Sequence, residues 1–386
     1  MKRAVVLGGG MVGAIMAEDL LRPPAGGGEP FAVTLVDRDS DRLAAIAARN
    51  EGLDTRQADL AQASEIESCI ADADVVCGAL ASHLGFAALE TILKAGKSYA
   101  DISFMPEDAW TLDALAKEHG ATAIVDCGVA PGMSNLLCGE AVRRLETTER
   151  LGIYVGGLPR VRHLPFEYKA GFAPADVLEE YTRPSRVVEG GKVVVKEALS
   201  EPEFLDFEGV GTLEAFITDG LRSLSASLDV PEMIEKTMRY PGHRALMKAF
   251  RDTGLLSSEP IVVKGQTIVP LEVTSALLFP KWTFEEGEED LTVMRIVAEG
   301  SKAGGERVRL TWDLLDRYDP TSGRTSMSRT TAFPAAIAAR LLMSGEADLG
   351  PGVHPPERLG LAGTYEHFLR GLELRGVHYS FKEEAL

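Results

Sequence analysis

The residues best suited to chemistry come first in the chain. Gly8, Gly10 and Gly13 close the run AVVLGGGMVG, with the spacing of a phosphate-gripping turn. The first glycine permits a tight turn and the second lets backbone approach a pyrophosphate. The third lets a helix pack on its strand while the amides around Met11 and Val12 face the phosphates. A second apolar run, FAVTLV, ends in Asp37, two dozen residues past the last glycine, where an acid that binds the adenosine ribose belongs. Arg38 beside it can stack on adenine. Elsewhere, Asp101 and His243 are candidate proton acceptors, His243 preferred because the ordinary imidazole pKa of about 6.5 suits neutral pH. Arg239 suits a planar carboxylate bidentately, with Tyr240 next to it, and Glu167 and Tyr168 offer groups that could receive an ammonium. Each of these also has an ordinary structural reading as a satisfied core or surface residue.

The elements that must position these residues alternate in the first third of the chain. Strands are expected at Ala4–Leu7, Phe31–Val36, Thr55–Ala58, Asp74–Leu80, Ser98–Ile102 and Ala121–Val125. Helices are expected between them, among them one over 40–50 with Ser40 as its N-cap, one over 60–70, one over 85–95 and one over 107–119. Six such units imply a Rossmann doubly wound parallel sheet, whose ligand crevice lies at the carboxyl ends of the strands. Asp59, Ala79, Leu80, Asp126, Gly128 and Val129 therefore join the glycines and Asp37 as expected cofactor-binding residues. The PPAGGGEP segment (23–30) reads as a flexible surface insertion.

From about residue 132 the pattern changes. A helix over 134–145 leads to a strand over 152–156, then to an irregular stretch, GGLPRVRHLPFEYKAGF, of the kind that carries function. Two runs flank a Lys264-Gly265 turn, and 291–298 with 306–315 form a long hairpin. Val308, Leu310, Trp312 and Leu314 alternate there with Arg307, Arg309, Thr311 and Asp313. The expected organisation is thus a dinucleotide-binding domain over 1–131, an α+β domain on a mixed or antiparallel sheet over 132–330, and a helical segment over 331–386 returning to the first domain. An open face on that second sheet, with Trp282 and Trp312 nearby, would leave an apolar patch for a homodimer or a multiple of one. The EEGEED run (285–290) reads as a solvated loop tip.

Composition excludes several classes of function. With 58 acidic against 40 basic residues and a net charge of −18, neither nucleic acid nor an anionic membrane surface is an expected partner. Cys69, Cys77, Cys127 and Cys138 form no CxxC pair, favouring reduced thiols, no metal and a cytoplasmic location.

The run DISFMPEDAWTLDALAKEHGATAIVDCGVAPGMSNLLCG (101–139) resembles the saccharopine dehydrogenase-like family, and within it most closely the lysine 6-dehydrogenases. The similarity continues in order through YVGGLP (154–159), LPFEYKAGFAPADVLEEYTRP (164–184), GTLEAFITDG (211–220), KTMRYPGH (236–243), SRTTA (328–332) and GVHPPE (352–357). It implies a nicotinamide-dependent oxidation at the CH–NH2 group of an amino acid. The reading carried forward is oxidative deamination of L-lysine to the 6-semialdehyde, which cyclises to piperideine-6-carboxylate, with NAD preferred over NADP. Saccharopine dehydrogenase or reductase and carboxynorspermidine dehydrogenase chemistry are the sister alternatives, and an NAD-binding redox sensor is the non-enzymatic one.

Overall fold

The computed structural model describes residues 1–171, 174–285, 287–347 and 349–386. Phe172 and Ala173 of the 164–184 stretch, Glu286 of the acidic run and Asp348 lie outside the described residues. The chain forms two compact units, one of Met1–Arg144 with Ser328–His378, the other of Leu145–Met327 with Tyr379–Leu386.

In the first unit, seven strands lie parallel in the order Gly352–His354, Thr122–Ile124, Ser98–Asp101, Val75–Gly78, Arg3–Leu7, Ala32–Asp37, Asp54–Gln57. Six are the expected β units, and the doubly wound class holds. The seventh, beside Thr122–Ile124, comes from the GVHPPE segment, too short and Pro-bounded to read as a strand. The chain leaves Asp54–Gln57 at one edge and re-enters at Val75–Gly78 on the other side of Arg3–Leu7. That reversal opens a crevice at the strand ends. Apolar runs such as Val75–Gly78 are buried along their whole length, as a sheet covered on both faces requires.

Several boundaries moved for local reasons. Asp39, not Ser40, caps the Ser40–Arg49 helix: from an extended backbone its carboxylate accepts from the amides of Asp41 and Arg42 at 3.1 and 3.0 Å. The expected 60–70 helix begins only at Ala63, and the expected 107–119 helix is a 3₁₀ turn, Ala109–Leu112, followed by Asp113–Glu118. The 23–30 insertion is a surface loop, but it is tied down: Arg340 donates to the Glu29 carbonyl at 2.6 Å. Arg375 grips the buried Asp19 carboxylate with two bonds of 2.6 and 2.7 Å.

The second unit is built on a nine-stranded mixed sheet. Its main path runs Glu203–Phe207, Gly211–Ile217, Glu232–Arg239, Thr147–Pro159, Asp290–Ser301, Arg307–Arg317, Tyr379–Ala385. Only Glu232–Arg239 with Thr147–Pro159 is a parallel pair; the others are antiparallel. The hairpin alternation is as expected, with Val308, Leu310, Trp312 and Leu314 buried. The apolar patch inferred from it is not there. Trp282 and Trp312 are fully buried, and Trp312 packs on Phe381 of the terminal strand at 4.9 Å between ring centres. The C-terminal tail, which the sequence pattern did not reveal as a strand, extends the sheet beside Arg307–Arg317.

Among the described residues no helix is long and apolar enough to cross a membrane. All four cysteines are free thiols, three of them buried.

Candidate functional site

The first unit carries a dinucleotide cradle written in backbone. Gly8 has φ +102°, and a Cβ there would sit 2.3 Å from the Ala79 carbonyl oxygen. A Cβ at Gly13 would sit 1.9 Å from the Gly8 carbonyl oxygen, so helix and strand touch only because the side chain is absent. Gly10 is different: nothing lies within 4 Å of a Cβ built on it. Space is open over the start of the Met11–Leu21 helix, where first-turn amides lack intrahelical acceptors and the dipole favours negative charge. The three glycines thus fit a pyrophosphate in three separate ways. Met11 stands exposed at the helix start, with Val12 following it.

Asp37, at the end of its strand, accepts from the Gly9 amide at 2.6 Å and the Asp39 amide at 2.9 Å. It ties the glycine turn to the second strand as well as presenting an acid there. Arg38 is exposed, and the basic group nearest the carboxylate is Arg42, at 3.6 Å, which the sequence reading passed over. Asp59 serves a local purpose: it accepts from the Ala61 amide at 3.1 Å, while Glu65 receives the Asp59 amide at 2.6 Å. Ala79 and Leu80 follow the Val75–Gly78 strand, the Ala79 amide bonded to Leu7.

Asp101 and Asp126 close the same row of strand ends. Asp101 is completely buried. Its Oδ1 accepts from the Ser103 amide and hydroxyl at 3.0 and 2.8 Å, its Oδ2 has no hydrogen-bond partner, and the Tyr99 hydroxyl lies beside it without a well-aligned bond. Burial pushes the carboxyl up to about 6, with the charge of Asp126 adding to the rise. The turn after Asp126 is closed on itself: the Gly128 amide donates to Pro131, and those of Met133 and Ser134 donate to Gly128 and Val129. A Cβ on Gly132, at φ +137°, would strike the Gly128 carbonyl oxygen at 2.0 Å.

The second unit gathers side chains from four distant segments. The Pro241-Gly242 turn reverses the chain between the strand ending in Arg239 and the helix starting at His243, placing both residues in one cluster. Tyr168 comes from the loop after Thr147–Pro159, Tyr181 from the Pro174–Thr182 helix and Trp282 from the end of Pro270–Trp282. The Arg239 guanidinium lies 4.6 Å over the Tyr168 ring, which meets His243 at 4.8 Å and Trp282 edge-on at 5.2 Å. Arg239 donates to the Tyr181 hydroxyl at 3.0 Å, to the Met238 carbonyl at 3.0 Å and to Glu180 at 3.4 Å. Glu180 is pushed up to about 7 by burial, against the pull of Arg239. Glu235, bonded to the Thr218 hydroxyl at 2.6 Å, is pushed up to about 8 by burial despite that bond.

Three readings of single residues change here. His243 is no base poised near neutrality: burial first, then Arg239, drives its pKa down to about 3, and both ring nitrogens are bonded, to Tyr181 at 3.0 Å and to the Phe166 carbonyl at 2.9 Å. Glu167 is held by Arg162 through two bonds of 3.0 and 2.8 Å, so it is not waiting for an ammonium. Tyr240 donates its hydroxyl to the Pro159 carbonyl at 3.0 Å and pins two strands. Tyr181, Glu180, Glu235 and Trp282 were missed. Glu180 and Tyr181 lie inside the family-like EEYTRP run, which was the available signal.

Residues 4–124 match the saccharopine dehydrogenase NADP binding domain, and residues 128–377 match the saccharopine dehydrogenase C-terminal domain. This chain belongs to the saccharopine dehydrogenase family. It is 28% identical to the carboxynorspermidine synthase of Vibrio cholerae, over 74% of this chain and 73% of that protein. It is 23% identical to the mitochondrial alpha-aminoadipic semialdehyde synthase of Bos taurus, over 74% of this chain and 38% of that one. The chain therefore spans less than half the length of the mammalian relatives it matches. Apo saccharopine dehydrogenase (L-Glu forming) from Saccharomyces cerevisiae shares its fold, with a TM-score of 0.80 at 18% identity over 100% of both chains.

Proposed function

We propose that this chain is an NAD-dependent oxidoreductase acting at a carbon–nitrogen bond of an amino acid, with L-lysine as its substrate. The observation that carries this reading is the buried Arg239 guanidinium, stacked on the Tyr168 ring with the Glu180 carboxyl 3.4 Å away. Lysine, with one carboxylate, matches that single guanidinium. A tricarboxylate such as saccharopine would call for more cations. The names of the relatives, all enzymes of amine-bearing amino acids or polyamines, support the coarser part of the reading.

A bound nicotinamide supplies the acceptor for the hydride lost from the nitrogen-bearing carbon. The Gly8–Gly13 turn would hold its pyrophosphate through first-turn amides. Asp37 would take the ribose hydroxyls, and its charge would oppose a 2′-phosphate, an opposition that Arg38 and Arg42 would offset in part. On the substrate side, hydride leaves only when the nitrogen is neutral and its lone pair can form the C=N bond. The ε-ammonium, with an ordinary pKa of about 10.4, must first give up a proton, so activity rises on the alkaline side. Asp101, whose buried Oδ2 has no hydrogen-bond partner and whose pKa is raised, suits proton acceptance better than the neutral, doubly bonded His243. Water then adds to the C=N bond and ammonia leaves, giving the 6-semialdehyde.

The test is a screen of L-lysine, saccharopine and carboxylated polyamines with NAD and with NADP, following reduced cofactor and ammonia together. Ammonia equal to NADH from lysine supports the reading. Reduction with saccharopine or a carboxylated polyamine alone replaces it with a sister activity, and no turnover of any amine leaves a binding protein.

A further inference from the structure

Arg239 is held by a chain of hydrogen bonds whose direction is fixed at both ends. A guanidinium only donates, so the Tyr181 hydroxyl, 3.0 Å from Nε, must accept there. Its own proton is then free for His243 Nε2, also at 3.0 Å. At the far end, His243 Nδ1 lies 2.9 Å from the Phe166 carbonyl oxygen, which can only accept. Nδ1 therefore carries the imidazole proton, and Nε2 presents the lone pair that Tyr181 needs. The sequence runs Arg239 to Tyr181 to His243 to Phe166, and no member can be reversed without breaking a bond.

This chain spends the Nε hydrogen, while Nη1 is committed once to Met238 and Nη2 once to Glu180. One hydrogen on each Nη stays uncommitted, on a side chain that is 3% exposed. A remaining hydrogen on each Nη lets the guanidinium take a carboxylate bidentately. Rotation of the guanidinium is blocked on its face by the Tyr168 ring and at Nε by Tyr181.

We propose that Tyr181 and His243 are positioning residues, a one-way relay that fixes the guanidinium plane of Arg239 so that its two free Nη hydrogens meet a substrate carboxylate. The assignment rests on the amino-acid reading above. It gives His243 a task that needs a neutral imidazole, which is what burial makes it.

The experiment compares Tyr181→Phe, His243→Phe, their double variant and Arg239→Ala in the full chain, reading KM, kcat, melting temperature and cofactor affinity. Loss of one hydrogen bond to a charged group predicts about a tenfold rise in KM for Tyr181→Phe, with the loss falling on KM rather than kcat. Because the relay acts as one unit, the double variant should be no worse than about the poorer single one. A KM unchanged in Tyr181→Phe while Arg239→Ala raises it steeply overturns the relay and leaves the amino-acid reading standing. A KM unchanged in Arg239→Ala removes the reading itself. Should the variants fail to fold, ¹⁵N NMR of the unaltered protein decides: His243 must be the Nδ1–H tautomer, and an Nε2–H tautomer reverses the Tyr181 hydroxyl and overturns the proposal.

Discussion

The two units build their sites from opposite materials. In the first, what matters is backbone and the absence of side chains: Gly8 and Gly13 permit contacts that any Cβ would break, and Gly10 keeps a space clear. All three lie within six consecutive residues. In the second, what matters is side chains, and Tyr168, Tyr181, Arg239, His243 and Trp282 reach one another from segments spread over more than a hundred positions. A site made of backbone can be read from local spacing, because the spacing is the geometry. A site made of side chains exists only after the sheet has brought its strands together.

The sharpest way to break that comparison is at Arg239. Arg239→Ala removes a buried charge on which an incoming carboxylate depends, and should raise the substrate KM at least about a hundredfold while cofactor affinity, titrated by fluorescence, stays as it was. Equal loss of both would mean that the cluster is structural support rather than a binding site.

In the glycine cradle, two substitutions of the same size should behave differently. Gly13→Ala drives a methyl into the Gly8 carbonyl and should cost on the order of 1–3 kcal/mol, seen as a lower melting temperature without cofactor. Gly10→Ala meets only open space, so the melting temperature should hold while cofactor affinity drops about tenfold. If Gly10→Ala binds cofactor normally, the space over the helix start is not the pyrophosphate site.

A smaller effect is expected at Asp37. Asp37→Asn keeps one acceptor oxygen where the carboxylate offers two to the Gly9 and Asp39 amides, and removes the charge that opposes a 2′-phosphate. The ratio of catalytic efficiencies should move about tenfold towards NADP. A ratio that does not move assigns Asp37 to the turn alone.

The smallest effect concerns stability. The folded pKa of Glu235, about 8, lies above its ordinary value of 4.5, so between those values the folded state holds a proton that the unfolded chain has lost. The stabilisation is complete below about pH 4.5 and disappears as pH rises through 8. Glu235→Gln, neutral at every pH, should melt a few degrees higher than the parent at pH 8.5 and close to it at pH 5. Parallel curves would mean that Glu235 does not hold that proton.

How much was legible follows the same division. The strand–turn–helix of Ala4–Gly13, the parallel sheet and the long hairpin were readable because apolar periodicity and glycine spacing are local quantities. Arg239 and Tyr168 were singled out through their motifs, but their contact was not, and Tyr181, the hydroxyl that joins Arg239 to His243, drew no notice at all. His243 was misjudged for a physical reason: an imidazole's reference pKa says nothing of the burial that shifts it by several units. The Gly352–His354 and Tyr379–Ala385 strands escaped because neither alternates cleanly, the first wholly buried and the second mostly exposed.

Those two late strands also set an order of events during synthesis. The first sheet lacks its seventh strand until Gly352–His354 has left the ribosome, and the Arg307–Arg317 strand waits for Tyr379–Ala385. Neither unit is a continuous stretch of chain: the first waits for Ser328–His378, and the second waits for Tyr379–Leu386, which follows the whole of the first. Until they emerge, the nascent protein carries an unfilled strand position in each sheet, open to pairing with neighbours. Removing the last eight residues would make that passing vulnerability permanent in the second sheet, exposing the backbone of Arg307–Arg317 in the finished protein.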